Sequence, residues 1–212
     1  PDKLGAISVG KPILWIPIQY DHNARDWQSF GSRSSYDLNQ PYIYLTVKSI
    51  IKYCKDSFHI CLVDDKSYAR LMPDWKYRDS MLSSPISDHA RKLAIARLLR
   101  IYGGMTVPPS FLCMRNLKDM FDNGLQGGNT MFVCENINRT STSSETDYIA
   151  DTAVMGCKQQ SAEMADLVKF IERSMASDHT NAMDFVGNTN VWCTAAVHQK
   201  RVNMVNSKLI GV

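Results

Sequence analysis

Side chains suited to binding a hydroxylated or charged ligand occur at two places in the chain, each next to a predicted regular element. Asp64 and Asp65 follow the apolar run 58–63, and Asp88 and Arg91 lie near the start of a predicted helix. Carboxylates accept hydrogen bonds from hydroxyl groups and are good ligands for Mg²⁺ or Mn²⁺, whereas a guanidinium donates to oxygen acceptors. The adjacent acidic pair is therefore a candidate for binding a ribose, a base or a divalent metal.

The same residues also have structural interpretations, which stay open at this point. Asp64 and Asp65 could cap a helix over 66–71, because an aspartate oxygen accepts from the free amides of a first helical turn. Asp88 could cap its own helix together with the serine before it. Its spacing from Arg91 also fits an i,i+3 ion pair, worth only about 0.2–0.5 kcal/mol on an exposed helix.

Apolar periodicity and proline positions predict elements that place the acidic pair at one edge of a sheet. A first buried strand is predicted over 11–18 and a second over 58–63, with a helix from Pro41 to about Cys54 between them. A strand, a crossover helix and a strand in this order predict a parallel sheet, whose ligands lie beyond the carboxyl ends of the strands. The acidic pair would lie at that edge.

The stretch 87–110 predicts a helix, a stop, a short strand and a turn without interruption. Apolar residues form a broad face of the helix, and Gly103 and Gly104 end it, because glycine adopts left-handed backbone at low steric cost. The strand 105–107 must end at the two prolines that follow, since neither can donate an amide to a ladder.

The rest of the chain continues the alternation of strands and helices without an internal repeat or a second composition regime. We therefore expect one α/β domain over residues 1–212. The remaining predicted elements are strands over 130–134 and 152–157, a helix over 162–175, and loops over 20–40 and 139–147.

The run Ser-Asp-x-x-Arg, an apolar helix and Tyr102-Gly103-Gly104 resembles the centre of glycosyltransferases with a DXD sugar-binding region. These include capsular polysaccharide synthesis enzymes and glycosylating bacterial toxins. The resemblance implies a GT-A-like fold, a single Rossmann-type, mostly parallel sheet flanked by helices. It also implies a UDP- or GDP-linked sugar as donor, and a glycan or a protein as acceptor.

The resemblance also implies roles for individual residues. Asp88 and Arg91 match the family's contacts to the donor sugar, and Trp15 stands where the family's first strand carries a tryptophan that stacks on the base. A core position is the alternative for Trp15. Asp64 or Asp65 would bind the ribose or a metal, and Asp151 would be a catalytic or acceptor-side residue.

One segment departs from the family pattern. Pro108, Pro109 and Ser110 stand where the metal-binding Asp-x-Asp is expected, and a proline carbonyl and a neutral serine are poor substitutes for carboxylates. Three explanations stay open. Arg91, Arg97 or Arg115 could hold the diphosphate without a metal, Mn or Mg could bind at the Asp64-Asp65 pair instead, or the domain could be a degenerate, non-catalytic structural or interaction module within a larger assembly.

Composition excludes several other classes of protein. A net charge of +3 over 212 residues, with no basic run, does not predict nucleic-acid binding. No secretory h-region and no apolar stretch of about 18 residues occurs, so we expect a soluble, cytoplasmic protein with no membrane span.

Six scattered cysteines predict reduced, buried thiols. A nucleotide-binding oxidoreductase is disfavoured, because no GxGxxG follows the first strand.

Overall fold

A computed structural model describes residues 10–18, 41–77, 82, 85–136, 149–177 and 182–210, with the backbone alone for 41 and 182–186. The predicted loops over 20–40 and 139–147 lie outside the described residues. In the described part of the chain, strands and helices alternate only in part: helices Asp65–Leu71 and Ile86–Tyr102, strands Met131–Asn136 and Ile149–Cys157, and helices Ala162–Ala176 and Ala182–His198 follow each other directly.

The strands form one six-stranded sheet in the order β2-β1-β3-β5-β4-β6. β1 pairs in parallel with β2 and β3, and β4 pairs in parallel with β6. β5 runs antiparallel to both of its neighbours, β3 and β4. The strands are β1 Ile13–Pro17, β2 His59–Val63, β3 Gly104–Thr106, β4 Met131–Asn136, β5 Ile149–Cys157 and β6 Asn203–Val205.

Helices cover both faces of the sheet. They are α1 Pro41–Cys54, α2 Asp65–Leu71, α3 Ile86–Tyr102, α4 Lys118–Gly124, α5 Ala162–Ala176 and α6 Ala182–His198, with a short 3₁₀ turn at Ser207–Leu209. Side chains from α2, α3, α5 and α6 pack on one face. Those from α1 and α4 pack on the other.

β1 shows how the sequence divides these two cores. Successive side chains of a strand point to opposite faces. Ile13 and Trp15 accordingly belong to the first core, whereas Leu14 and Ile16 belong to the second. An α/β protein with a single, mostly parallel sheet flanked by helices is thus confirmed. The extent of the domain over 1–212 stays a prediction.

The glycine pair after α3 behaves as predicted. Gly103 ends the helix with a φ of +72°, and Gly104 opens β3 with a φ of +95°. A Cβ on Gly104 would lie 2.1 Å from the carbonyl oxygen of Ile13, so the backbones of β1 and β3 approach each other too closely for any side chain. The helix stop and the strand pairing both depend on this position.

The predicted cap of α3 is wrong. The helix begins at Ile86 with Pro85 at the N-cap position, and no side chain caps it. Ser87 and Asp88 are therefore already inside the first turn of the helix. Within the described residues, no helix is both long and apolar enough to cross a membrane.

Candidate functional site

A cavity of about 620 Å³ lies at the edge of the sheet where β1, β2 and β3 end. Because β5 is antiparallel, its amino-terminal half reaches the same edge. The first turns of α1, α2 and α3 complete the wall. The residues that line the cavity are Pro17, Ile18, Tyr42, Ile43, Asp65, Tyr68, Asp88, Arg91, Lys92, Ile95, Thr106, Pro108, Pro109, Ser110, Asp151, Thr152, Ala153 and Met155.

Arg91 is the centre of a charged cluster on this wall. Its Nε and Nη2 donate to the two carboxylate oxygens of Asp65, at 3.3 and 3.2 Å, and its Nη1 lies 3.6 Å from Oδ1 of Asp88. The side chain of Arg91 is 21% exposed, and that of Asp65 is 32% exposed. The bidentate geometry fixes the guanidinium plane and joins α2 to α3. Three of the predicted donor-site residues are thereby brought together.

Asp64 has a different role from its neighbour. It is the N-cap of α2 and accepts from the Ser67 amide at 2.8 Å, while the Ser67 hydroxyl also donates to it. These hydrogen bonds hold the pKa of the Asp64 carboxyl below its usual range. Asp64 does not line the cavity. Asp64 therefore caps α2, whereas Asp65 lines the cavity.

The Asp64-Asp65 pair does not fit a divalent cation. One carboxylate is occupied by the α2 cap, and the other is held by a guanidinium whose positive charge would repel the metal. In the part of the chain that the structure describes, no group of three or more His, Cys, Asp or Glu side chains could hold a metal ion. The displaced metal site predicted at this pair is therefore not supported.

Trp15 is a core residue. Its side chain is fully buried, its indole N–H donates to the Gly103 carbonyl at 3.0 Å, and its ring contacts Tyr102 at a centroid distance of 5.8 Å. A ring without exposed surface cannot stack on a bound base. The burial contradicts the predicted stacking role, since β1 directs this side chain toward α3 rather than into the cavity.

Pro108, Pro109 and Ser110 line the cavity directly after β3, where the family resemblance places its metal motif. The Pro109 carbonyl accepts from the Thr46 hydroxyl at 2.5 Å, which attaches this turn to α1. The same hydroxyl also lies within hydrogen-bond distance of the Tyr42 and Ile43 carbonyls, so its single proton is shared among three acceptors. The turn forms part of the cavity wall but provides no carboxylate.

Asp151 lies on the opposite wall, inside β5 rather than before it. Its Oδ2 accepts from Asn136 at 2.8 Å and its Oδ1 from the Ala153 amide at 2.9 Å. These two bonds fix the carboxylate while the residue lines the cavity. Asp151 therefore contributes a fixed carboxylate to the cavity wall.

Two of the arginines predicted to bind the diphosphate lie outside the cavity, and one lysine that lines the cavity was not predicted. Arg97 pairs with Asp74 and Glu172, at 3.0 and 3.5 Å, and Arg115 donates to the Leu209 carbonyl; neither lines the cavity. Lys92 does line it. The spacing of Asp88, Arg91, Lys92 and Ile95 is i, i+3, i+4 and i+7, which is one face of a helix and could have identified Lys92 from sequence.

Comparisons with known proteins give fold-level likeness only. No protein-family model and no curated protein matches the sequence. Among solved structures, the PaToxG glycosyltransferase aligns with a TM-score of 0.49 at 9% identity, over 94% of this chain and 75% of that one. A 4-diphosphocytidyl-2C-methyl-D-erythritol synthase from Anaerococcus prevotii DSM 20548 aligns with a TM-score of 0.44 at 14% identity, over 95% and 89%. Likenesses this weak carry no argument about activity.

Proposed function

We propose that this chain is a nucleotide-sugar-dependent glycosyltransferase domain that acts without a divalent cation at the usual position. The observation that carries the proposal is the cluster of Asp65, Arg91 and Asp88 on the wall of an open cavity. The cavity volume of about 620 Å³ lies within the usual range of about 300–1,000 Å³ for small-molecule sites. Its place beyond the carboxyl ends of parallel strands is where α/β proteins bind ligands.

The cluster suits the sugar part of such a donor. A carboxylate accepts from two hydroxyl groups at once, and a guanidinium donates to hydroxyl oxygens from a fixed plane. Because Asp65 already fixes the Arg91 side chain, little conformational entropy remains to be lost when a sugar binds. We assign Asp88 and Arg91 to the donor sugar, and Asp65 to the sugar or ribose.

The transfer step needs a base for the acceptor. The bond between the anomeric carbon and the phosphate oxygen breaks, and its electron pair leaves with the nucleoside diphosphate. The acceptor hydroxyl oxygen forms the new bond to the anomeric carbon and gives its proton to a base. We assign this role to Asp151, whose carboxylate is held by Asn136 and the Ala153 amide.

The test is calorimetric titration with a panel of UDP- and GDP-sugars, in EDTA and again with Mn²⁺. We expect one class of donor to bind in EDTA. Arg91→Ala should weaken its binding at least about tenfold, because a charged hydrogen-bond donor is removed. Arg97→Ala is the matched control, since it removes the same side chain from the same helix outside the cavity. Absence of binding under every condition would overturn the proposal.

A second candidate is a degenerate, non-catalytic module with the same fold. It is favoured by one observation: the guanidinium of Arg91 is already paired with two carboxylates of its own chain, as in a purely structural ion network. This candidate predicts that donors do not bind and that Arg91→Ala and Asp88→Ala leave the biological role intact. The titration above therefore separates the two.

A further inference from the structure

Lys92 is the second cation, beside Arg91, among the described residues that line the cavity. It lines the cavity one residue after Arg91 and is half-buried. Among the described residues, its ammonium group makes no hydrogen bond and has no carboxylate oxygen within 4.0 Å. A half-buried ammonium without a partner is less stable than one bound to an anion, because burial removes water without replacing its hydrogen bonds.

The other charged groups of the cavity are already compensated. Arg91 pairs with Asp65 and Asp88, and Asp151 accepts from Asn136 and the Ala153 amide. An incoming anion would therefore have to compete with a carboxylate for Arg91, whereas it would meet no such competitor at Lys92. Among the described residues, Lys92 is thus the cavity cation that no carboxylate contacts.

We propose that Lys92 binds the diphosphate of the nucleotide sugar and supplies the positive charge that a divalent metal supplies in enzymes with the DXD motif. This inference rests on the proposed function. The turn of Pro108, Pro109 and Ser110 contributes no carboxylate, so the described part of that wall offers a metal no acidic ligand. A lysine ammonium is a compact point charge with three donors on a flexible stem, and it can follow the two phosphates without coordination geometry.

Lys92 directly follows Arg91 in α3, and both side chains line the cavity. Lys92 lies one turn beyond Asp88 on the same helical face, followed by Ile95. An extended donor could thus place its sugar at Arg91 and its phosphates at Lys92. The first contact is a hydrogen-bonded recognition of hydroxyl groups, and the second is a charge interaction with phosphate oxygens.

The experiment measures binding of UDP, GDP and inorganic pyrophosphate in EDTA to the full chain. The variants are Lys92→Met, which keeps an unbranched stem of similar length, and Lys92→Arg, which keeps the charge. Lys158→Ala is the control, since Lys158 is exposed at the opposite end of β5. We expect Lys92→Met to weaken diphosphate binding about 10- to 100-fold, with Lys92→Arg and the control close to the unmodified protein. Thermal unfolding of each variant verifies that it is folded.

The outcomes separate the inference from the function on which it rests. If nucleotide sugars bind and Lys92→Met leaves UDP and GDP affinity unchanged, the inference is overturned and the proposed function stands. Binding of nucleoside diphosphates that disappears in EDTA also overturns the inference, because a metal then carries the charge. If pyrophosphate binds in a Lys92-dependent way but no nucleotide sugar does, the anion site stands and the proposed function fails.

Discussion

Arg91 and Arg97 are the same residue type on the same helix, and their surroundings give them different roles. Arg91 faces the cavity and is held by Asp65 and Asp88, whereas Arg97 is held by Asp74 and Glu172 outside it. A guanidinium has the same chemistry at both positions. What differs is the face of α3 on which it stands and the carboxylates that the neighbouring elements bring to it.

Asp64 gives a residue-scale prediction that depends on pH. Asp64→Ala should lower the free energy of unfolding by about 0.5–2 kcal/mol at neutral pH, because the cap of α2 is lost. The pKa of this carboxyl is lowered in the folded state, so its contribution is present above its unfolded pKa and is lost as the pH falls through the folded value. The difference from the unmodified protein should therefore shrink below about pH 4. Denaturant unfolding from neutral to acid pH measures it.

The control for this prediction is Asp56→Ala, an exposed aspartate in the turn after α1. It should change the free energy of unfolding by no more than about 0.5 kcal/mol. An Asp64→Ala effect that matches the control at neutral pH, or one that keeps its full size in acid, would contradict the capping role.

At the scale of elements, the direction of β5 decides the composition of the cavity. β5 is antiparallel to β3 and β4, so its amino-terminal half lies at the carboxyl edge of the parallel strands. Asp151 stands in that half and reaches the cavity. In a parallel strand the same residue would lie at the opposite edge of the sheet, away from Arg91. Strand direction is set by pairing with strands that are distant in the sequence. Local apolar periodicity does not predict that pairing.

The junction of β1 and β3 gives the prediction at this scale. Gly104→Ala should lower the free energy of unfolding by at least about 3 kcal/mol, because the methyl group would meet the Ile13 carbonyl and the residue has a positive φ. Gly128→Ala is the control, with a φ of +84° and no atom within 4 Å of its added Cβ. It should cost only about 1–2 kcal/mol, from backbone strain alone. Equal costs in denaturant unfolding would mean that β1 and β3 do not approach closely.

At the scale of the whole molecule, two apolar cores share one sheet. Cys157 and Cys193 lie in the core beneath α3, α5 and α6, and Cys54, Cys113 and Cys134 lie in the core beneath α1 and α4. These five thiols are buried, and Cys61 on β2 is half-buried. Burial raises the pKa of Cys134 to about 11 and that of Cys193 to about 12, which further lowers their reactivity.

This distribution predicts the reactivity of the folded protein toward a thiol reagent such as a mixed aromatic disulfide. Cys61 should react faster than the five buried thiols, but more slowly than a free thiol because partial burial raises its pKa, and all six cysteines should react in denaturant. Cys61→Ser should remove this faster reaction while leaving five thiols in denaturant. Fast reaction of a second thiol in the folded protein would show that one of the two cores opens readily. Absorbance of the released thiolate counts the reactive groups.

The sequence by itself predicted most of the order of the elements, the burial of β1, and the glycine stop after α3. These features depend on local physics: apolar periodicity, proline without an amide, and glycine with positive φ. The same local reasoning placed Asp88 and Arg91 on one helix near a sheet edge. It also offered a cap of α2 as one of two interpretations of the Asp64-Asp65 pair.

Only the tertiary structure decided which of these residues share a cavity. The burial of Trp15 and the pairing of Arg91 with Asp65 depend on contacts between residues far apart in the chain. Such contacts follow from how helices pack on the sheet and which way each strand runs. A residue's type limits the chemistry it can perform, but its partners decide which part of that chemistry remains available.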